Sequence, residues 1–248
     1  MWSTSNCQKC ASRILDFFSA HNTHFFIHTW ENEDVLLKRS DKVHKNSNTK
    51  HIASDEFNEV CSLFNPKKFM IEPPIDFTLP MTQSQQYSFL QSHSLKTAFE
   101  NESNVRYDVV VKCRFDVIWH PFINFQLPEN FDPSTLYVSK VDNAPRRPVM
   151  LDRFFFSGSE VMSKISTLFS YSSEKLKDLK HLHVFPGIRP NPGLYPEEIF
   201  YSFVNQELKI KIREHLMMEC IMRETAAHLD VYKDFDEIRK IGHEFYQH

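Results

Sequence analysis

The sequence predicts a single α/β domain with a mostly parallel central sheet flanked by helices. Three observations predict it. Short runs rich in aromatic and β-branched residues alternate along the chain with stretches whose apolar residues recur at helical spacing. No internal repeat and no disordered linker divides residues 1–248. The composition, 41% apolar and 25% charged over 248 residues, suits a globular chain with one sizeable core.

The elements follow in order. "SRILDFFSAHN" places apolar residues at 14, 15, 17 and 18 and ends on Asn22, which predicts a short amphipathic helix. "THFFIHTW" reads as a buried strand. The polar stretch from Glu31 to His51 reads as a loop. Ser54 caps a helix that closes near Asn65-Pro66, and a strand runs from Phe69 to Glu72. Residues 81–102 form a longer helix with Tyr87, Leu90, Ser94 and Ala98 along one side. "YDVVVKC", 107–113, is an apolar strand that ends in charge, at Arg114 and Asp116. "TLYVSK" is a strand, and "DRFFFSGSEVMSKISTLFS" is a strand, a turn at Ser157-Gly158-Ser159 and a helix. The prolines and glycines of "HVFPGIRPNPGLYPEE" mark a loop, Pro196 opens a helix, and 226–248 reads as a last helix.

Composition excludes some functions. The formal charge of -3 gives no basic excess for a nucleic-acid partner. Four glycines, at 158, 187, 193 and 242, allow neither a G-x-G-x-x-G nor a P-loop pattern. No apolar run approaches a membrane span and the first residues lack a signal-peptide core, so the expected location is cytoplasmic. Five scattered cysteines suit a reducing compartment. Cys7 and Cys10, followed by His21 and His24, have spacings unlike those of a zinc finger and read as free thiols.

In open α/β sheets ligands bind beyond the carboxyl ends of strands. Those ends carry His28 to Glu31, Glu72, Arg114 with Asp116, and the Ser157-Gly158-Ser159 turn. Asp152 precedes a strand, and Glu197 opens a helix. Arg114 suits phosphate oxygens, Asp116 suits a hard divalent cation, and Asp152 or Glu197 suits a proton or a sugar hydroxyl. The same residues also fit solvated turns and structural ion pairs. The Phe154–Phe156 run reads as core.

Five blocks in order, "THFFIHTWEN", "FNPKKFMIEPP", "YDVVVKCRFDVIW", "LDRFFFSGSEVM" and "YPEEIFYSFV", resemble a glycosyltransferase-like family of bacterial polysaccharide clusters, algae and large DNA viruses. The resemblance spans most of the chain. It implies a glycosyltransferase type A-like domain over residues 1–248, a nucleotide-sugar donor, a glycan or glycoprotein acceptor, and Mn²⁺ or Mg²⁺. On it, Asp116 carries metal or donor, and Lys112 and Arg114 face diphosphate. Asp152 and Glu197 are the catalytic carboxylates. Arg114 stands where an Asp-x-Asp motif has its first aspartate, and Lys112 stands where many members have arginine. The first nucleotide-binding strand and its Gly-x-x-Arg turn have no counterpart in this sequence. A non-catalytic glycosyltransferase-like binding or scaffold protein is the alternative, and a hydrolase using Asp116 with Asp152 a third reading.

Overall fold

The structure is a computed structural model that describes residues 4–30, 62–73, 75, 77, 80–114, 117–119, 124–139, 141–142, 149–178, 196–215 and 219–221. Asp116, most of the helix expected from Ser54, the 183–195 loop and the expected last helix lie outside the described residues.

The chain is mixed α/β. Helix α1 (Thr4–Phe17) leads to β1 (Phe26–Trp30), and β2 (Lys68–Glu72) lies parallel to it, with Phe26 opposite Lys68 and Trp30 opposite Glu72. Helix α2 (Pro80–Ser103) follows. Pro80 takes the first helical position, where its missing N–H costs nothing. No glycine or further proline interrupts the run, and Asn104, at φ 53°, turns the chain out of it. Next come β3 (Val110–Lys112), β4 (Val117–Trp119), β5 (Leu136–Val138), β6 (Val141–Asp142), β7 (Val149–Met150) and β8 (Phe155–Ser157). Helices α3 (Ser159–Ser166) and α4 (Leu168–Asp178) continue from β8. Helix α5 (Pro196–Ser202) ends in a π turn at Phe203–Glu207, and β9 (Ile212–Glu214) and β10 (Glu219–Ile221) complete the described elements.

The sheets are small and mixed, which departs from the expected single, mostly parallel sheet. The largest runs β3-β8-β5-β9; β1-β2, β4-β10 and β6-β7 are two-stranded. β8 is antiparallel to both β3 and β5, while β9 is parallel to β5. Hence β3, β5 and β9 share one direction and β8 alone is reversed. The β1-β2 pair has that direction too, as α2 shows. Phe26, at the start of β1, meets Phe99 late in α2, whereas Trp30, at its end, meets Tyr87 early in α2. β3 likewise ends near the early turns of α2, since Arg114 reaches Gln85.

Strand alternation sends successive side chains to opposite faces and so builds a core on each. One face of the four-stranded sheet carries Tyr137, Phe154 and Phe156, packed with Ile14, Phe17 and Phe18 around α1. The other carries Leu136, Val138 and Phe155, packed with Phe89 of α2, Val161, Met162 and Ile165 of α3, and Phe200 of α5. The architecture is therefore helix, sheet, helix. Each fully buried phenylalanine contributes about 1.5–3 kcal/mol. All three residues of Phe154–Phe156 are core, as their aromatic run implies.

Candidate functional site

The reversed strand decides what meets at the ligand edge. Lys112 at the end of β3 lies opposite Phe155 at the beginning of β8, and Val138 at the end of β5 lies opposite the same Phe155. The edge at which β3 and β5 finish is thus the edge at which β8 starts. Asp152, three residues before β8, arrives beside Lys112 and Arg114.

Side chains knit this corner together. The Lys112 ammonium donates to the main-chain oxygen of Asp152 and sits 5.4 Å from the centre of the Phe155 ring. Arg114 Nη1 donates to Gln85 Oε1 at 2.9 Å, and Gln85 Nε2 donates to Asp152 Oδ2 at 2.5 Å. The chemistry of the neighbours fixes the amide: its oxygen must face the guanidinium and its nitrogen the carboxylate. Gln85 therefore stands between a cation and an anion that would otherwise tend to pair. Asp152 is buried, and the other three are half-buried.

The remaining expected site residues are distributed differently. Glu197 is half-buried in the first turn of α5, where the helix dipole favours it, and α5 packs on β7 just upstream of Asp152. Among the described residues it makes no hydrogen bond or ion pair with Lys112, Arg114 or Asp152. The Ser157-Gly158-Ser159 turn, expected at a ligand edge, is at the opposite edge because β8 runs backwards. There Ser159 accepts from Lys96 at 2.6 Å, and Gly158 lies against Pro133. His21 donates to the Phe125 oxygen at 2.8 Å and His24 meets the Tyr107 hydroxyl at 2.7 Å, so both rings of the cysteine-histidine pattern are engaged by other groups.

A second group lies where β1 and β2 end. The His28 ring is buried beneath Trp30 and Tyr87. Its Nε2–H donates to Glu72 Oε2 at 2.9 Å. Burial lowers the pKa of His28 despite the opposing pull of Glu72, so the ring is neutral at pH 7. Burial, then the Glu72 charge and a hydrogen bond to it, raise the Tyr87 phenol. On α2, Gln85 meets the Lys112 corner, and Tyr87, two residues on, packs on the His28 and Trp30 rings.

Gln85 and Tyr87 were not legible as site residues. A glutamine in "MTQSQQYSFL" reads as solvent-facing, and Tyr87 reads as part of an apolar stripe. The available signal was a run of uncharged polar residues that the helix buries, with Thr82, Gln83 and Gln86 all in the interior.

Among the described residues no three His, Cys, Asp or Glu side chains are placed to share a metal ion. At the Lys112 corner the donor set is two cations, an amide and a carboxylate whose Oδ2 faces an N–H. Among the described residues that set suits an anion with hydroxyls; Asp116, expected to carry a metal, lies outside them. No described helix is long and apolar enough to cross a membrane. Comparison with known protein families, with curated proteins and with solved structures gave no match.

Proposed function

We propose that the chain is a glycosyltransferase type A-like domain that transfers a sugar from a nucleotide-sugar to a glycan or glycoprotein hydroxyl. The observation that carries the reading is the meeting of Lys112, Arg114 and Asp152 at the carboxyl edge of the strands, joined through Gln85. Ligands of open α/β sheets occupy this edge. The two cations match a diphosphate, whose charge grows as the bond from sugar C1 to phosphate oxygen breaks. The buried carboxylate matches a sugar hydroxyl. The acceptor oxygen bonds to C1, the nucleoside diphosphate departs, and a carboxylate takes the acceptor proton. Asp152 and Glu197 are the candidates for that last role. The resemblance implies Mn²⁺ or Mg²⁺ on Asp116, and in this reading Lys112 and Arg114 face the phosphate charge.

A thermal-shift screen tests the reading. UDP-, GDP-, dTDP- and CMP-sugars are added with and without Mn²⁺ to the wild type, Arg114→Ala and Asp152→Asn. Saturation at a hundred times Kd should stabilise the wild type by about 2.7 kcal/mol. The expected result is a shift from one nucleotide class, reduced in both variants and present without metal. A shift that requires metal moves the phosphate contact to Asp116. No shift with any donor in folded protein overturns the enzyme reading in favour of a non-catalytic relative.

A further inference from the structure

Glu72 is a carboxylate held in place by the buried His28 ring, and among the described residues no lysine or arginine offsets its charge. It ends β2 and lies on the same edge as Lys112 and Arg114, because β1, β2 and β3 share a direction. Its Oε2 accepts from His28, whose side chain is wholly buried, while the Glu72 side chain is 29% exposed. The Tyr87 phenol lies close enough for the Glu72 charge to raise its pKa. Neither neighbour is a lysine or arginine, and among the described residues none pairs with Glu72.

The support for this carboxylate is costly. His28 is an imidazole buried on a strand, and its Nδ1 has no hydrogen-bond partner. A buried polar atom without a partner destabilises the fold, so a neutral aliphatic residue would serve packing better. The ring is consistent with a need to fix Glu72. Trp30 stacks on Tyr87 with ring centres 5.5 Å apart and planes 23° from parallel, and it meets the His28 ring at 4.9 Å. Both supporting rings are therefore locked, and so is the direction in which the carboxylate presents its remaining lone pairs. A carboxylate has about four acceptor sites, and the His28 contact uses one of them.

We propose that Glu72 is a second binding carboxylate of the ligand site, taking hydroxyl groups of a sugar ring, with His28 and Tyr87 as its positioning residues. This rests on the glycosyltransferase reading. A partly exposed, oriented carboxylate on the strand edge that also carries Lys112 and Arg114 can take a cation or O–H donors. The diphosphate in the same site carries no donors at neutral pH, whereas the sugar rings attached to it do. Two rings qualify, the ribose of the nucleotide and the transferred sugar.

The test is isothermal titration of the sugar nucleotide selected by the thermal screen, and of its nucleoside diphosphate alone. Wild type, Glu72→Gln and Tyr87→Phe are compared, with the melting temperature of each ligand-free protein as a folding control. Glutamine keeps an acceptor for His28 and Tyr87 while removing the charge. The expected result is a ten- to hundredfold loss of affinity in Glu72→Gln and a smaller loss in Tyr87→Phe. Equal losses for both ligands identify the ribose, and a loss confined to the sugar nucleotide identifies the transferred sugar. Should Glu72→Gln fail to fold, Tyr87→Phe decides alone. Unchanged affinity for both ligands overturns the inference while leaving the glycosyltransferase reading intact. Absence of binding to the wild type overturns that reading and this one with it.

Discussion

His93 makes the stability of this protein fall in mild acid. Its ring is buried between α2 and α3, with Nε2 2.9 Å from Ser163 Oγ. Ser163 spends its own proton on the Ser159 oxygen at 2.8 Å, so His93 Nε2 must be the donor and Nδ1 the bare nitrogen. Protonation would place a second N–H on Nδ1, where no acceptor waits, beside the buried Lys96 ammonium. Burial first, and the Lys96 charge second, lower the pKa from 6.5 to about 4 against the opposing charge of Glu100.

The sign follows. Between those values the unfolded chain binds a proton that the folded chain refuses, so stability falls as pH falls. The contribution is complete above about pH 6.5 and has gone once pH drops through the folded value near 4. From pH 7 to pH 5 the difference is about 2 kcal/mol. Urea unfolding should be followed at half-unit pH steps across that range for the wild type and His93→Gln. Glutamine keeps a donor for Ser163 and cannot titrate. The other histidines titrate in both proteins and cancel in the comparison. The gap between the two curves should narrow or reverse by about 2 kcal/mol on acidification. Parallel curves would refute the assignment of a neutral, acid-resistant His93.

Two further outcomes depend only on the fold. A Cβ at Gly158 would lie 2.6 Å from both the Cβ and the main-chain oxygen of Pro133, and that oxygen also accepts from Gly158 N–H and Ser157 Oγ. Gly158→Ala should therefore cost about 1–3 kcal/mol in urea unfolding, and an unchanged midpoint would mean that the 132–135 loop yields freely. Lys96 and Glu100 form a buried ion pair at 2.9 Å, with Ser159 and the Tyr107 N–H completing its hydrogen bonds. Lys96→Met leaves that carboxylate buried and should cost about 3–5 kcal/mol, whereas Lys96→Met with Glu100→Gln should recover most of the loss. A double variant no more stable than the single one would show that the charge is not what the lysine offsets.

Much of the element order is written in local sequence. "FIHTW", "KFMIE", "LYV" and "FFS" are strands because β-branched and aromatic side chains fit a pleated, half-buried surface. Helix α2 is found over the run, 81–102, where its side-chain spacing predicts it. The alternation in "KIKIRE" is a strand signal, and β9 lies within it. Strands β4, β6, β7 and β10 are two or three residues long, too short for a period to show. Helix α4 begins inside the expected helical run, after a break at Thr167, and continues past its expected end at Ser170 to Asp178. Strand direction is not a local property, which is why the Ser157-Gly158-Ser159 turn was expected at the wrong edge. Arg114 stands out as charge at a strand end and Asp152 as a carboxylate just before one, whereas Lys112 is singled out only through the family resemblance. Gln85 is not, because an amide between two charges can be recognised only once those charges are placed in space.

The order β3-β8-β5-β9 also sets a timetable for synthesis. β5 is apolar on both faces, with Leu136, Tyr137 and Val138 all buried, and its two neighbours are β8 and β9. On a growing chain β8 follows within some twenty residues, but β9 ends only at Glu214. Until that point has left the ribosome, β5 presents an unpaired edge. Bare edges of this kind recruit other chains, so the interval between residues 157 and 214 is when a nascent copy is most exposed to aggregation. A chaperone that binds extended apolar segments would act in that interval, and slowing translation there would lengthen the hazard.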